Sequence, residues 1–439
     1  MLREKYKKIS YLLDKNTKPL ILLGSRQVGK TYILKEIGKA EFKAFYYFNF
    51  EQNPQLKAIF EKCLNVEQIV ASLEIFLNQK IRPSDLIIFD EIQECPKALT
   101  SLKYFAEFEK EKYHVIAAGS LLGVKLNNEN FPVGKVHFEY LNSLSFSEFL
   151  LATNPFLFEK YFSANLESLN GILHEKCVES YLNYLYVGGM PEAVKCFTQK
   201  NSQGLEKYQN VREVQEDILK SYLADFAKHA GKANSMHLHA IWNECARQIG
   251  NVKDESTKRF KFQGVIPGKK QFSQFENAFH WLEHASLIIK SHIINKPELP
   301  LDSYIKNSLF KCFIFDVGLL NAMINTSAKT ILEQSMETYK GFIAENFVAQ
   351  ELRNIGHSKL YTWEGKSSEI EFVIPIQDQI IPIEVKSGTR TRSKSLKIYS
   401  DQYSPHKKII FSLCPFSTNG NLWKVPIYAV GKAIGDLKF

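Results

Sequence analysis

The stretch that constrains the fold most is LILLGSRQVGKTY, in which four apolar residues, Leu20 to Leu23, run without a break into Gly24, Ser25, Arg26, Gln27, Val28, Gly29, Lys30, Thr31 and Tyr32. A short buried strand that stops on a glycine and leads into the helical pattern YILKEIGK is the setting that G-x-x-x-x-G-K-[ST] requires. Glycine allows the backbone to wrap a phosphate, and successive N–H groups at a helix N-terminus point toward the phosphate oxygens. The pattern predicts a phosphate cradle for ATP over these nine residues. The Lys30 ammonium is expected to reach the β- and γ-phosphates, and the Thr31 hydroxyl to bind Mg2+.

A second stretch agrees with it. DLIIFDEIQECP has four apolar residues, Leu86 to Phe89, followed by Asp90 and Glu91 where a parallel strand would end. At that position Asp90 is expected to hold magnesium and Glu91 to polarise the attacking water. YHVIAAGS, Tyr113 to Ser120, reads as a third strand, and its Ser120 hydroxyl is placed to sense a γ-phosphate. FKAFYYFNFE supplies one more strand. Strands alternating with helices predict an α/β fold with a parallel sheet and its ligand at the carboxyl ends of the strands.

The 439 residues exceed one ordinary core and suggest about three domains. No run approaches the roughly 20 apolar residues of a membrane helix, and MLREKYKKISYLL lacks an apolar signal core. A cytoplasmic protein without membrane contact is therefore expected. Seven cysteines without a C-x-x-C pair suit isolated thiols in a reducing compartment and indicate no structural zinc. The net charge of +9 permits nucleic-acid contact without requiring it.

From about Asn154 to Ala224 the pattern is helical and tyrosine-rich, punctuated by Gly188, Gly189 and Pro191, and reads as a helical connector. Ser235 to Gly250 and Phe272 to His284 read as two more helices, and LIIKSHII as a β-run. Helices ending in a β-hairpin describe a winged helix. Between them lie Lys253, Lys258, Arg259, Lys261, Lys269 and Lys270, with two acids and with Phe260 and Phe262 interleaved. Such a stretch either grips phosphates or is a solvated loop.

Near the end, GFIAENFVAQELRNIG is an amphipathic helix carrying Glu345. Two β-runs follow, Ile370 to Ile376 and Ile380 to Val385, joined by a polar turn at Gln377 to Gln379. In IIPIEVKSG, Glu384 and Lys386 share one strand face while Ile383 and Val385 take the other. Glu371, Glu384 and Lys386 are expected to converge on one sheet surface, with Glu345 arriving from the helix. Acid-x-lysine alone describes a surface ion pair equally well. The flank Arg390, Arg392, Lys394, Lys397, Lys407 and Lys408, with Asp401 its one acid, suits a polyanion.

On GSRQVGKT, IIFDEIQECP and AAGS, the first part resembles the AAA-type P-loop ATPases. PVGKVHFEYLNSLSFSEFL (Pro132 to Leu150), VGGMPEAV, FIFDVGLL, GFIAENFVAQEL, EIEF and PIEVKSG extend the likeness to a prokaryotic family in which such an ATPase precedes a C-terminal domain of unknown function. The last constellation resembles the PD-(D/E)xK nuclease superfamily. The resemblance implies an ATPase domain over 1–153, a helical and winged-helix-like region over 154–330 and a small α/β nuclease-like domain over 331–439. It also implies that Glu345, Glu371 and Glu384 hold Mg2+ while Lys386 orients hydroxide or neutralises the phosphate; Glu371 stands where an aspartate is usual. AAA-type ATPases complete their site with an arginine finger, yet no arginine lies between Arg82 and Arg212, which leaves Lys135 as a substitute cation.

Two functions are consistent with this pattern. One is an ATP-hydrolysing protein whose last domain binds or cuts nucleic acid, DNA before RNA. The other is an ATP-dependent regulatory switch with a silent last domain that binds a protein partner. Either is compatible with a homo-oligomer.

Overall fold

The computed structural model describes residues 3–15, 18–108, 110, 112–120, 134–199, 204–250, 259–333 and 339–437. They fall into two compact units, Met1–Asn142 with His284–Ser286, and Ser143–Glu283 with Leu287–Phe439.

In the first unit five strands, β1 (Leu20–Leu23), β2 (Phe45–Asn49), β3 (Leu86–Asp90), β4 (His114–Gly119) and β5 (His137–Tyr140), form a sheet in the order β2-β3-β4-β1-β5. Every pairing is parallel. All residues of β1 and β3 are buried, which is why both read as unbroken apolar runs rather than as an alternation. On one side Phe50, Phe60 and Phe89 pack with ring centroids 5.5–5.8 Å apart at the centre of the core. Leu23 pairs with Gly119 and Tyr140, and Asn49 with Asp90, so the strands finish along one edge. The loop after β1 begins with Gly24, where a Cβ would stand 2.1 Å from the Leu141 carbonyl oxygen.

The second unit opens with helices, among them Phe146–Thr153, Gly171–Val187, Gly204–Ala230 and Lys232–Gly250. It closes with an eight-stranded mixed sheet made of β6 (Ile288–Ile294), β7 (Ile305–Ile314), β8 (Leu360–Glu364), β9 (Glu369–Ile376), β10 (Gln379–Val385), β11 (Lys408–Ser412), β12 (Ser417–Asn419) and β13 (Leu422–Pro426). Their order is β12-β13-β11-β10-β9-β8-β6-β7. The antiparallel β6–β7 pair is the hairpin expected as a wing. Here it is instead the edge of the last sheet, because β6 pairs in parallel with β8, Ser291 opposite Leu360 through Ile294 opposite Trp363. All but one residue of β6 is buried, whereas a free wing would leave one face to solvent. The expected boundary at 330/331 thus passes between strands of one sheet.

Two stretches of the chain explain each other. The helix Gly171–Val187 stops at Gly188, in the left-handed region of φ at 73°. Asp316, fully buried, accepts from the Gly189 N–H at 2.7 Å and from the Gly318 and Leu319 N–H groups at 3.0 Å, capping the helix Val317–Met323. A Cβ on Gly188 would lie 2.2 Å from Asp316 Oδ1. VGGMP and FDVG are therefore the two halves of a structural clasp.

Candidate active site

The carboxyl edge of the first sheet collects the polar groups that its strands deliver. The helix Lys30–Glu41 starts at Gly29, whose φ of 93° is followed by a helical Lys30, and Gln27 also has a positive φ, 62°. Lys30 Nζ donates to the Gly24 and Ser25 carbonyls at 2.9 and 2.7 Å. Burial lowers its pKa to about 8, against the opposing pull of Glu91 and Asp90. Arg26 pairs with Glu51 at 3.5 Å, and Val28 is buried beneath the loop.

At the end of β3, Asp90 Oδ2 accepts from Thr31 Oγ1 at 2.7 Å and from the Tyr47 hydroxyl at 2.7 Å. Burial, more than the neighbouring carboxylates, pushes the Tyr47 phenol well above its ordinary range, so it stays a donor. Glu91 follows with a left-handed φ of 51°, which turns the chain out of the strand. Its Oε2 accepts from Gln93 Nε2 and, at 3.3 Å, from Ser120 Oγ at the end of β4. Loop, hydroxyl and two carboxylates thus meet at one edge, and hydroxyl and carboxylate oxygens are the donors that Mg2+ takes. A backbone loop opening a helix, with a buried lysine, fits ATP phosphates.

Lys135 lies elsewhere. It precedes β5, whose His137 pairs with Leu20 at the start of β1, and it bonds Glu107 at 2.9 Å. The substitute cation expected from sequence therefore stands at the opposite end of this sheet from Thr31, because parallel strands put the residue before a strand at the far edge.

The sequence reading missed three contributors. Tyr47 and Asn49 come from β2, where Asn49 donates to the Tyr47 hydroxyl at 3.1 Å and accepts from the N–H groups of Glu51 and Gln52. The polar ending of FYYFN was the available signal. Arg3, buried, donates to the Val28 carbonyl at 2.8 Å and to the Asn142 carbonyl at 2.6 Å, tying the loop from below. No motif announces it.

In the last sheet the helix Tyr339–Asn354 carries Glu345, β9 carries Glu369 and Glu371, and β10 carries Glu384. Ile383 pairs with Phe372, which sets Glu384 across from Glu371, and Glu371 Oε2 accepts from the Val385 N–H at 3.3 Å. Lys386 Nζ donates to Glu384 Oε1. A residue that sequence reasoning did not place here, Lys311 of β7, bonds Glu345 Oε2 at 3.3 Å and pairs with Glu369. Burial alone would lower the Lys311 pKa, but Glu345, Glu369 and Glu371 hold it above the ordinary lysine value. Glu345 and Glu369 are thus taken by Lys311 and Glu384 by Lys386, so the four glutamates, as they stand, are arranged around ammonium groups and do not fit the Mg2+ that the nuclease resemblance implies.

Of the basic stretch, Lys253 and Lys258 lie outside the described residues. Arg259 pairs with Glu364, and Phe260 and Phe262 pack on Phe279 and Phe310 rather than offering stacking faces. Arg390, Arg392, Lys394 and Lys397 are exposed. Among the described residues no helix is long and apolar enough to cross a membrane.

Residues 16–150 match the family model described as AAA domain. Over these residues, which hold the five-stranded parallel sheet, the chain is similar to AAA-type P-loop ATPase domains. Residues 178–330 and 340–427 match two models described as domains of unknown function, DUF8612 and DUF4143. No curated protein matches the chain. Among solved structures, the Walker-type ATPase Paby2304 of Pyrococcus abyssi is similar at 13% identity over 73% of this chain and 95% of that one, with a TM-score of 0.45. A RuvB variant of Thermotoga maritima is similar at 12% over 65% and 88%, with a TM-score of 0.33, and PCH-2 of C. elegans at 9% over 48% and 67%, with a TM-score of 0.29.

Proposed function

We propose that this chain is a Mg2+-dependent ATPase that works as a nucleotide switch, with a last sheet that binds a partner without cutting it. The observation that carries the reading is the 2.7 Å bond between Thr31 Oγ1 and Asp90 Oδ2, which sets two hard oxygen donors side by side where the loop opens. The loop N–H groups from Gly24 to Tyr32 receive the phosphates, and Lys30 exchanges its two carbonyl partners for phosphate oxygens. Thr31 and Asp90 would hold Mg2+, which would supply neutralisation of charge on the departing γ-phosphoryl group. Glu91, steadied by Gln93 and Ser120, orients the attacking water and takes its proton.

For the last sheet, the buried Lys311 among the carboxylates favours the silent reading over cleavage of DNA or RNA at Glu345, Glu371 and Glu384. The exposed Arg390, Arg392, Lys394 and Lys397 support a polyanionic partner, DNA before RNA; a protein partner is the alternative. The test measures ATP hydrolysis and cleavage of plasmid and single-stranded DNA with Mg2+ or Mn2+, with and without ATP. The native chain is compared with Lys30→Ala and Glu384→Ala. Hydrolysis lost in Lys30→Ala and no Glu384-dependent cleavage are expected. Cleavage that disappears in Glu384→Ala would overturn the silent reading. DNA binding that falls steeply with salt, or its absence, separates the two partner classes.

A further inference from the structure

We infer that Lys311 is the resident counter-ion of the carboxylate cluster in the last sheet, and that its ammonium keeps divalent metal out. The inference rests on the silent reading above and supplies a cause for it.

Four glutamates, Glu345, Glu369, Glu371 and Glu384, meet two lysines, Lys311 and Lys386. Carboxylates removed from water require a positive partner, and removing that partner leaves an uncompensated charge. Lys311 is 2% exposed and touches two of the acids, Glu345 from the helix Tyr339–Asn354 and Glu369 from β9. Lys386 answers Glu384 from the end of β10. Lys311 bridges two carboxylates from different elements and Lys386 holds a third, so the cluster carries its own positive charge in place.

An ammonium and a divalent cation compete for the same oxygens, but they ask for different arrangements. Mg2+ requires oxygens at about 2.0–2.1 Å in near-octahedral order, whereas a lysine accepts looser, one-sided contacts. The glutamates have the second arrangement, with Lys311 reaching Glu345 at 3.3 Å and Glu369 from one side and Lys386 reaching Glu384 from another. The cluster nevertheless keeps acceptor capacity. Glu384 is 3% exposed, and among the described residues its Oε2 has no hydrogen-bond partner. A cation could therefore be taken up once Lys311 no longer fills the space among the acids.

The test counts Mn2+ bound per full-length chain by electron spin resonance and assays DNA cleavage on the same samples. It uses the native chain, Glu384→Gln, Lys311→Met and the Lys311→Met/Glu384→Gln pair. The native chain and Glu384→Gln are expected to hold the same number of ions, all belonging to the nucleotide site. Lys311→Met is expected to hold one more, lost again in the double variant. A native chain that binds one more ion than Glu384→Gln would overturn the inference, and accompanying cleavage would overturn the silent reading as well. Folded Lys311→Met that takes no additional ion would overturn the inference alone. Circular dichroism checks the fold, and Lys311→Gln replaces Lys311→Met if the methionine variant does not fold.

Discussion

Thr31 and Asp90, 59 positions apart in sequence, are joined by a hydrogen bond of 2.7 Å at the carboxyl edge of one parallel sheet. Asp90→Asn keeps the size and the acceptor of the side chain but removes the charge that a metal ligand needs. Hydrolysis of ATP is expected to fall by about a thousandfold while the fold persists, measured as steady-state turnover across Mg2+ concentrations. Turnover within tenfold of native would dismiss Asp90 as the metal ligand.

Glu91 is assigned the water, so its loss should appear in the chemical step. Glu91→Gln is expected to lower kcat by about 10²–10⁴-fold with little change in KM. Equal losses in nucleotide affinity would instead make it a residue that shapes the loop.

Lys30 gives a pH signature. Its pKa is lowered to about 8 from 10.5, so the ammonium is lost as pH rises through about 8, well before an exposed lysine would titrate. ATP affinity should fall above that point, and binding should take up a proton. The nucleotide-free fold responds in the opposite sense: burying the charged form costs stability below about 8, and the cost is relieved between about 8 and 10.5. Calorimetry of a non-hydrolysable ATP analogue at about pH 7 and 9, in buffers of different ionisation enthalpy, reads both affinity and proton uptake. Flat affinity with no proton uptake would contradict the assignment.

Asp316→Ala strips the acceptor from three backbone N–H groups in the clasp. With about 1–3 kcal/mol for each buried group left unsatisfied, a loss of about 3 kcal/mol or more is expected from denaturant midpoints. Gly188→Ala should also destabilise, since its Cβ meets the same carboxylate. An unchanged midpoint in both would show that the clasp contributes little.

The nucleotide edge was legible because each part is local: an apolar run, a glycine loop, a second apolar run with two acids at its end. β9 and β10 were read to within one residue at each end for the same reason. Lys311 was not legible. Its position depends on β7 joining the last sheet through the parallel β6–β8 pairing, a contact between stretches about 70 residues apart that no local pattern encodes. LIIKSHII and its neighbours describe a hairpin well enough, but nothing in them says what the hairpin leans on. Tyr47 escaped notice because an aromatic in an aromatic strand looks like core.

The parallel β6–β8 pairing also governs how this chain can be divided. A fragment trimmed to the 340–427 match would begin after β6 and β7 had been lost. It would present the whole length of β8 as a bare strand edge, the kind of surface on which neighbouring molecules pair and aggregate. It would also leave Glu345 and Glu369 without the lysine that faces them. A fragment meant to carry the last sheet should therefore start ahead of Ile288, whatever the family boundaries suggest.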